Sequence, residues 1–136
     1  MAATFAVLLK RRLMAEPSFL EGVDVMVPVP LHASRMGKRG FNQSSLIAGE
    51  VSVLCGIPVN ENILGRIRDT RPQVGLTARE RAENIRNAFE ASREAGGMVI
   101  LLVDDVMTTG ATVSACARAL KAAGAEETRV LTLARD

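Results

Sequence analysis

The chain has no tryptophan and no tyrosine, only one histidine, and only two cysteines in 136 residues; aromatics make up 3%. So few aromatics limit any nucleic-acid surface built on base stacking. Cys55 and Cys116 stand alone, and without a C-x-x-C pair no zinc ribbon is encoded. Two isolated thiols fit a reducing cytoplasm, and each falls on an apolar helix face. His32 has no evident tie to either, which argues against a catalytic thiol. No apolar run approaches the roughly 20 residues that span a membrane. Near the N-terminus Lys10, Arg11 and Arg12 follow the apolar stretch, whereas a secretory signal carries its positive charge first. A cytoplasmic protein without a membrane segment is therefore expected. Neither G-x-x-x-x-G-K-[ST] nor G-x-G-x-x-G occurs, so a P-loop and a dinucleotide-binding turn are both poor readings. Internal repeats and low-complexity segments are absent.

What is present fits one ordinary globular unit. The length suits a single domain with a real core, and 48% hydrophobic with 24% charged residues is a typical balance. The net charge is only +2, but its distribution is uneven: nine Lys/Arg and five acids lie between Leu31 and Arg86. A basic middle segment fits an anionic ligand, nucleic acid, or a solvated surface with no partner.

The pattern predicts a helix near 3–15, a strand over Val23 to Pro30, and a basic loop from Leu31 to Gly40. A helix follows from Asn42 to before Gly56, with Leu46, Ile47, Val51 and Leu54 at helical spacing. Pro58-Val59 and Ile63 to Ile67 read as short extended pieces. Thr77 to Arg86 reads as a helix opened by a Thr77/Glu80 capping box. Ala88 to Ala91 and Val130 to Leu133 read as strands. Strands alternating with helices imply an α/β fold with a mostly parallel, twisted sheet covered by helices on both faces.

The most informative stretch is 99–112, Val-Ile-Leu-Leu-Val-Asp-Asp-Val-Met-Thr-Thr-Gly-Ala-Thr. The apolar run Val99 to Val103 suits a strand buried on both faces. It ends in Asp104 and Asp105, at the carboxyl end of a strand, where open α/β sheets place ligands. Ionised carboxylates only accept hydrogen bonds, so the pair suits two sugar hydroxyls or the water shell of Mg²⁺. Thr108, Thr109, Gly110, Ala111 and Thr112 then lead into a helix marked by Val113, Ala117 and Leu120 and stopped at Gly124. Small residues at a helix N-terminus favour a phosphate. A solvated strand end with an ordinary turn is the plain alternative. A response-regulator receiver, which opens similarly, needs more chain after the acidic pair than Val106 to Asp136 supplies.

A second loop, Val27 to Gln43, also follows an apolar strand. It places Arg35, Lys38 and Arg39 around Gly37 and Gly40, suited to a second anion such as pyrophosphate or to a solvated charged turn.

Residues 99–112 resemble the phosphoribosyl-pyrophosphate (PRPP) signature of type I phosphoribosyltransferases. Further matches narrow the resemblance: Pro-Val-Pro-Leu-His from Pro28, Arg39-Gly-Phe-Asn-Gln43, Arg71-Pro-Gln73, Glu80-Arg81, Asn87-Ala-Phe89, Gly124-Ala125 and Leu131-Thr-Leu-Ala-Arg135. Their order, over most of the chain from Val27, is similar to the ComF branch, which includes GntX-like proteins. The resemblance implies the type I phosphoribosyltransferase fold, with residues 1–22 an N-terminal helical segment, read as a remnant of the family's hood, and 23–136 the core domain.

The resemblance also implies roles. Asp104 and Asp105 would be the catalytic pair, holding the ribose hydroxyls and, through these or water, Mg²⁺. Thr108, Thr109, Gly110, Ala111 and Thr112 would wrap the 5-phosphate. Arg35, Lys38 and Arg39 would contact pyrophosphate. Arg71, Gln73, Arg79 and Arg81 would be the polar members of a flexible loop, although Arg79 and Arg81 serve equally well as surface partners of Glu80 or Glu83. The implied activity is Mg²⁺-dependent transfer of phosphoribose from PRPP to an unidentified, nitrogen-type acceptor with release of pyrophosphate. The alternative is a non-catalytic PRPP-sensing or DNA-associated module of competence, with single-stranded DNA or DNA-uptake proteins as partners. A homodimer is compatible with either. Relatives commonly carry an N-terminal zinc ribbon and more chain before the core, so a truncated or naturally short version is expected, with the acceptor-holding hood reduced.

Overall fold

The computed structural model describes residues 11, 15–31, 42–67, 77–107 and 110–135. Of the helix expected near 3–15, only Arg11 and Ala15 are described, and both are helical. In chain order the elements are β1 (Val25–Pro28), α1 (Gln43–Cys55), β2 (Leu64–Arg66), α2 (Ala78–Arg86), β3 (Phe89–Ala91), β4 (Val99–Met107), α3 (Ala111–Ala122) and β5 (Glu127–Arg135). Among the described residues no helix is long and apolar enough to cross a membrane.

The central sheet is parallel, in the order β1-β4-β5. The expected strand at Pro58-Val59 contributes one parallel bridge, Val59 to Met26, beside β1. β2 and β3 form a separate antiparallel ladder that pairs Leu64 with Ala91 and Arg66 with Phe89.

Alternation along β4 divides the core between two faces. Ile100 and Leu102 pack with Val113, Cys116 and Leu120 of α3, with Leu64 and Phe89 from the small ladder, and with Ile63 just before it. Leu101 and Val103 pack with Ile47, Ala48 and Val51 of α1 and with Met26. All four β4 residues are fully buried, which is why the run has no polar alternation. Each such side chain stabilises the fold by about 1.5–3 kcal/mol.

The helix ends obey local chemistry. Asn42 caps α1 by accepting the Ser44 N–H at 3.0 Å. Gly56 stops α1 at φ +77°, a left-handed conformation that favours glycine. Thr77 and Glu80 make the reciprocal capping box expected for α2. The buried stripe on α3 differs by one position: Cys116, not Ala117, joins Val113 and Leu120.

One difference matters for function. β4 does not end at Val103 but continues to Met107, because β5 runs alongside and pairs Asp104 with Thr132, Val106 with Ala134 and Met107 with Arg135. β1 stops earlier, at the Pro28–Val103 pair. The two carboxylates therefore lie within a strand but beyond the end of its neighbour. That leaves one side of β4 open where its sequence turns polar.

Candidate active site

The space left beyond β1 is a cavity of about 180 Å³. Asp104 and Asp105 line it from β4, Thr112 from the first turn of α3, and Arg66 from β2. Val29, Pro30 and Leu31 close one wall, and Asn42, Gln43 and Ser44 at the start of α1 close another. Leu31 and Asn42, the described residues on either side of positions 32–41, both line this cavity.

Asp104 is the buried member of the acidic pair, 8% exposed. Its Oδ1 accepts the Asp105 N–H at 2.9 Å and the Ser44 hydroxyl at 3.4 Å. Burial pushes its carboxyl up from 3.8 to about 6, helped by the adjacent Asp105 carboxyl; the Asp105 N–H and Ser44 hydroxyl pull the other way. Such a carboxylate gains from a ligand that brings donors or positive charge. Asn42 holds the α1 end of the cavity in place, its Nδ2 donating to the Val29 carbonyl at 3.0 Å.

The N-terminus of α3 is built differently from those of α1 and α2. Its N-cap is Gly110, at φ +82°, a residue with no side chain of its own to cap the turn. With the helix dipole behind it, this end favours an anion. Arg66 adds positive charge on the same cavity. Its guanidinium carbon stands 5.1 Å from the centroid of Phe89, its cross-strand partner, so the side chain is braced by a cation–π contact. Below the cavity Cys116 is fully buried. Burial pushes its thiol well above the usual range, the Asp104 charge adds to this, and the Arg66 charge opposes it.

The fold therefore brings Asp104, Asp105 and Thr112 together, with Gly110 and Ala111 on the same helix start. Arg79 stands elsewhere, on the exposed face of α2 with Glu83 at 3.6 Å. Arg35, Lys38, Arg39, Arg71, Gln73, Thr108, Thr109 and the side chain of Arg81 lie outside the described residues. The sequence reading missed Arg66 and Ser44 as cavity residues and placed Asn42 within the second loop without giving it a role. A helix N-cap soon after a strand end was legible at Asn42, but nothing local marks Arg66.

The fit to a metal is a matter of donor chemistry. Asp104 and Asp105 offer hard oxygen ligands, and among the described residues no cluster of three or more His, Cys, Asp or Glu surrounds them. Two carboxylates suit Mg²⁺ shared with water and ligand oxygens, not a closed protein cage.

A parallel sheet with helices on both faces, and an acidic pair facing a helix N-terminus, define a phosphoribosyltransferase-type domain. Residues 43–136 match the phosphoribosyl transferase domain family, and the chain belongs to that family, in its ComF-like branch. It is 38% identical over 115 residues to competence protein F of Haemophilus influenzae, covering 82% of this chain and 50% of that protein. It is also 38% identical over 135 residues to the DNA utilization protein YhgH of Salmonella typhimurium, covering 98% of this chain and 60% of the relative. The chain thus spans little more than half the length of these relatives. Among solved structures, one described as the allosteric regulatory enzyme of purine biosynthesis superposes with a TM-score of 0.63 at 22% identity, over 96% of this chain and 25% of that one. The fold is that of the type I phosphoribosyltransferases.

Proposed function

We propose that this domain binds PRPP with Mg²⁺ and transfers its phosphoribosyl group to a nitrogen acceptor, releasing pyrophosphate. The observation that carries this reading is the Asp104/Asp105 pair lining one cavity with Thr112 from the first turn of α3. In this reading the two carboxylates accept the ribose hydroxyls. Gly110, Ala111 and Thr112, with Thr108 and Thr109, receive the 5-phosphate. Arg35, Lys38 and Arg39, between Leu31 and Asn42 of the cavity lining, take the pyrophosphate, and Arg71 and Gln73 belong to the neighbouring loop, with Arg79 and Arg81 on the helix α2 that follows it. Asp104 and Asp105 would hold Mg²⁺ through water or the ribose hydroxyls, and the metal would offset the charge of the departing pyrophosphate.

The acceptor nitrogen forms a bond to C1 of the ribose as the C1–oxygen bond breaks, and the electron pair leaves with pyrophosphate. Positive charge develops on the ribose in the transition state, next to the two carboxylates, which stabilise it. The chain's contribution is positioning and electrostatics. Isothermal titration with PRPP and Mg²⁺ tests the site: Asp104→Asn with Asp105→Asn should bind at least tenfold more weakly, and equal binding would reject the assignment. Pyrophosphate release against bases, amines and DNA then identifies the acceptor.

A second reading is a PRPP-sensing or DNA-associated module acting beside DNA-uptake proteins in the cytoplasm, as a monomer or homodimer. The names of the relatives, competence protein F and DNA utilization protein, favour it. Salt-dependent binding of single-stranded DNA, competed by PRPP and without pyrophosphate release, would decide for it.

A further inference from the structure

α2 rests on α3 through facing stripes of mostly small side chains. On α3 the stripe is Ala111, Ser114, Ala115 and Arg118, at i, i+3, i+4 and i+7; on α2 it is Ala82, Ile85 and Arg86. Side chains this small do not fill the interface, and a groove of about 140 Å³ remains. No acidic side chain lines it, while two arginines from different helices do. Both arginines are exposed, and among the described residues neither has an ion-pair partner. The nearest acid along α2, Glu83, is engaged by Arg79 at 3.6 Å. Two arginines lining one groove without a counter-charge make it favourable for an anion.

We propose that the α2–α3 groove is a second anion site, which takes one phosphate group between Arg86 and Arg118 with the Ser114 hydroxyl as a further donor. The groove adjoins the acidic-pair site, sharing Ala111 of the proposed 5-phosphate turn, but Arg86 and Arg118 line the groove and not the cavity. Thr112 lines that cavity, while Ala111 and Ser114 of the same helical turn line the groove. It also has a structural consequence. No described side chain of α2 is fully buried and Ile85 is its one apolar contact with the core cluster among the described residues, so a bridging phosphate would fasten this helix further to α3.

The phosphate could belong to a free metabolite or to a nucleic-acid backbone. The full chain is titrated with inorganic phosphate and, separately, with a single-stranded oligodeoxynucleotide, followed by ¹⁵N–¹H correlation spectra. Phosphate should move the amide resonances of Arg86, Ser114 and Arg118 and slow hydrogen exchange along α2. Binding at these resonances should weaken at least tenfold in Arg86→Ala and Arg118→Ala but stay unchanged in Arg93→Ala, an exposed arginine outside the groove. Arg86→Gln, which keeps a helix-forming stem, replaces Arg86→Ala if α2 melts. Asp104→Asn should leave the groove response intact, which separates this site from the PRPP reading. If the oligonucleotide moves the same resonances at lower concentration, the site takes backbone phosphate; if only free phosphate does, it takes a metabolite; either upholds the site. Groove resonances that do not move with either ligand, or that move equally in the arginine variants, would overturn it.

Discussion

The Ser44 hydroxyl donates to Oδ1 of Asp104 across 3.4 Å, joining the first turn of α1 to the acidic strand over 60 residues of chain. The bond favours the charged carboxylate. Ser44→Ala should therefore raise the titration midpoint of Asp104 above its value of about 6 and cost about 1 kcal/mol of stability near neutral pH. Carboxyl ¹³C titration followed by NMR checks the first, and urea unfolding the second. An unmoved midpoint would mean the bond carries no charge stabilisation.

Asp104 makes the native state sensitive to pH in a defined direction. The folded protein holds this proton more tightly than the unfolded chain, in which the group titrates near 3.8. The stability it contributes is thus complete below 3.8 and is lost as pH rises through about 6. Asp104→Asn removes the loss. The variant should be more stable than wild type by on the order of 1–3 kcal/mol at pH 7.5, with the gap closing toward pH 4. Urea midpoints at the two pH values measure it.

Arg66 and Phe89 form one unit. Phe89→Leu removes the ring that braces the guanidinium and leaves a small void, an expected cost of about 1–2 kcal/mol in unfolding free energy. Arg66→Met keeps the stem and removes the charge. It should weaken pyrophosphate binding about tenfold, or roughly 1.4 kcal/mol, with little change in melting temperature.

Cys116 should be chemically silent in the folded protein. A fully buried thiol held in its protonated form neither ionises nor meets reagent. In a thiol-reagent time course the partly exposed Cys55 reacts first, and Cys116 reacts only at the rate of unfolding. Cys116→Ser puts a hydroxyl among apolar neighbours and should cost about 1–3 kcal/mol.

Gly110 sits at φ +82°, immediately before α3. Gly110→Ala forces an L side chain into the left-handed region at a cost of about 1–2 kcal/mol. It should weaken PRPP binding more than Ala123→Gly at the other end of the helix, as read by titration calorimetry.

Much of this architecture was legible locally. Asn42 and Gly56 bound a helix because one accepts an orphan N–H and the other adopts a left-handed stop. Thr77 and Glu80 bound another because a capping box needs only four residues. Val99 to Val103 could be read as a strand buried on both faces from five apolar residues in a row. The far end of that strand was not legible. Nothing within 104–107 encodes strand structure as strongly as the neighbouring β5 imposes it. Choosing between Cys116 and Ala117 for the buried face of α3 likewise required the helix to be docked, since one residue rotates the face by about 100°.

The sequence alone determined the α/β alternation, the helix boundaries and the acidic pair beside a small-residue turn, because each depends on spacing and backbone chemistry within a few residues. Only the tertiary structure decided that β1 stops short of Asp104 and opens a cavity there. It alone brought Ser44 and Arg66 to that cavity from distant segments, and it alone buried one carboxylate of the pair more deeply than the other. Those outcomes follow from strand register and the packing of two layers on one sheet, which couple residues that no local pattern connects.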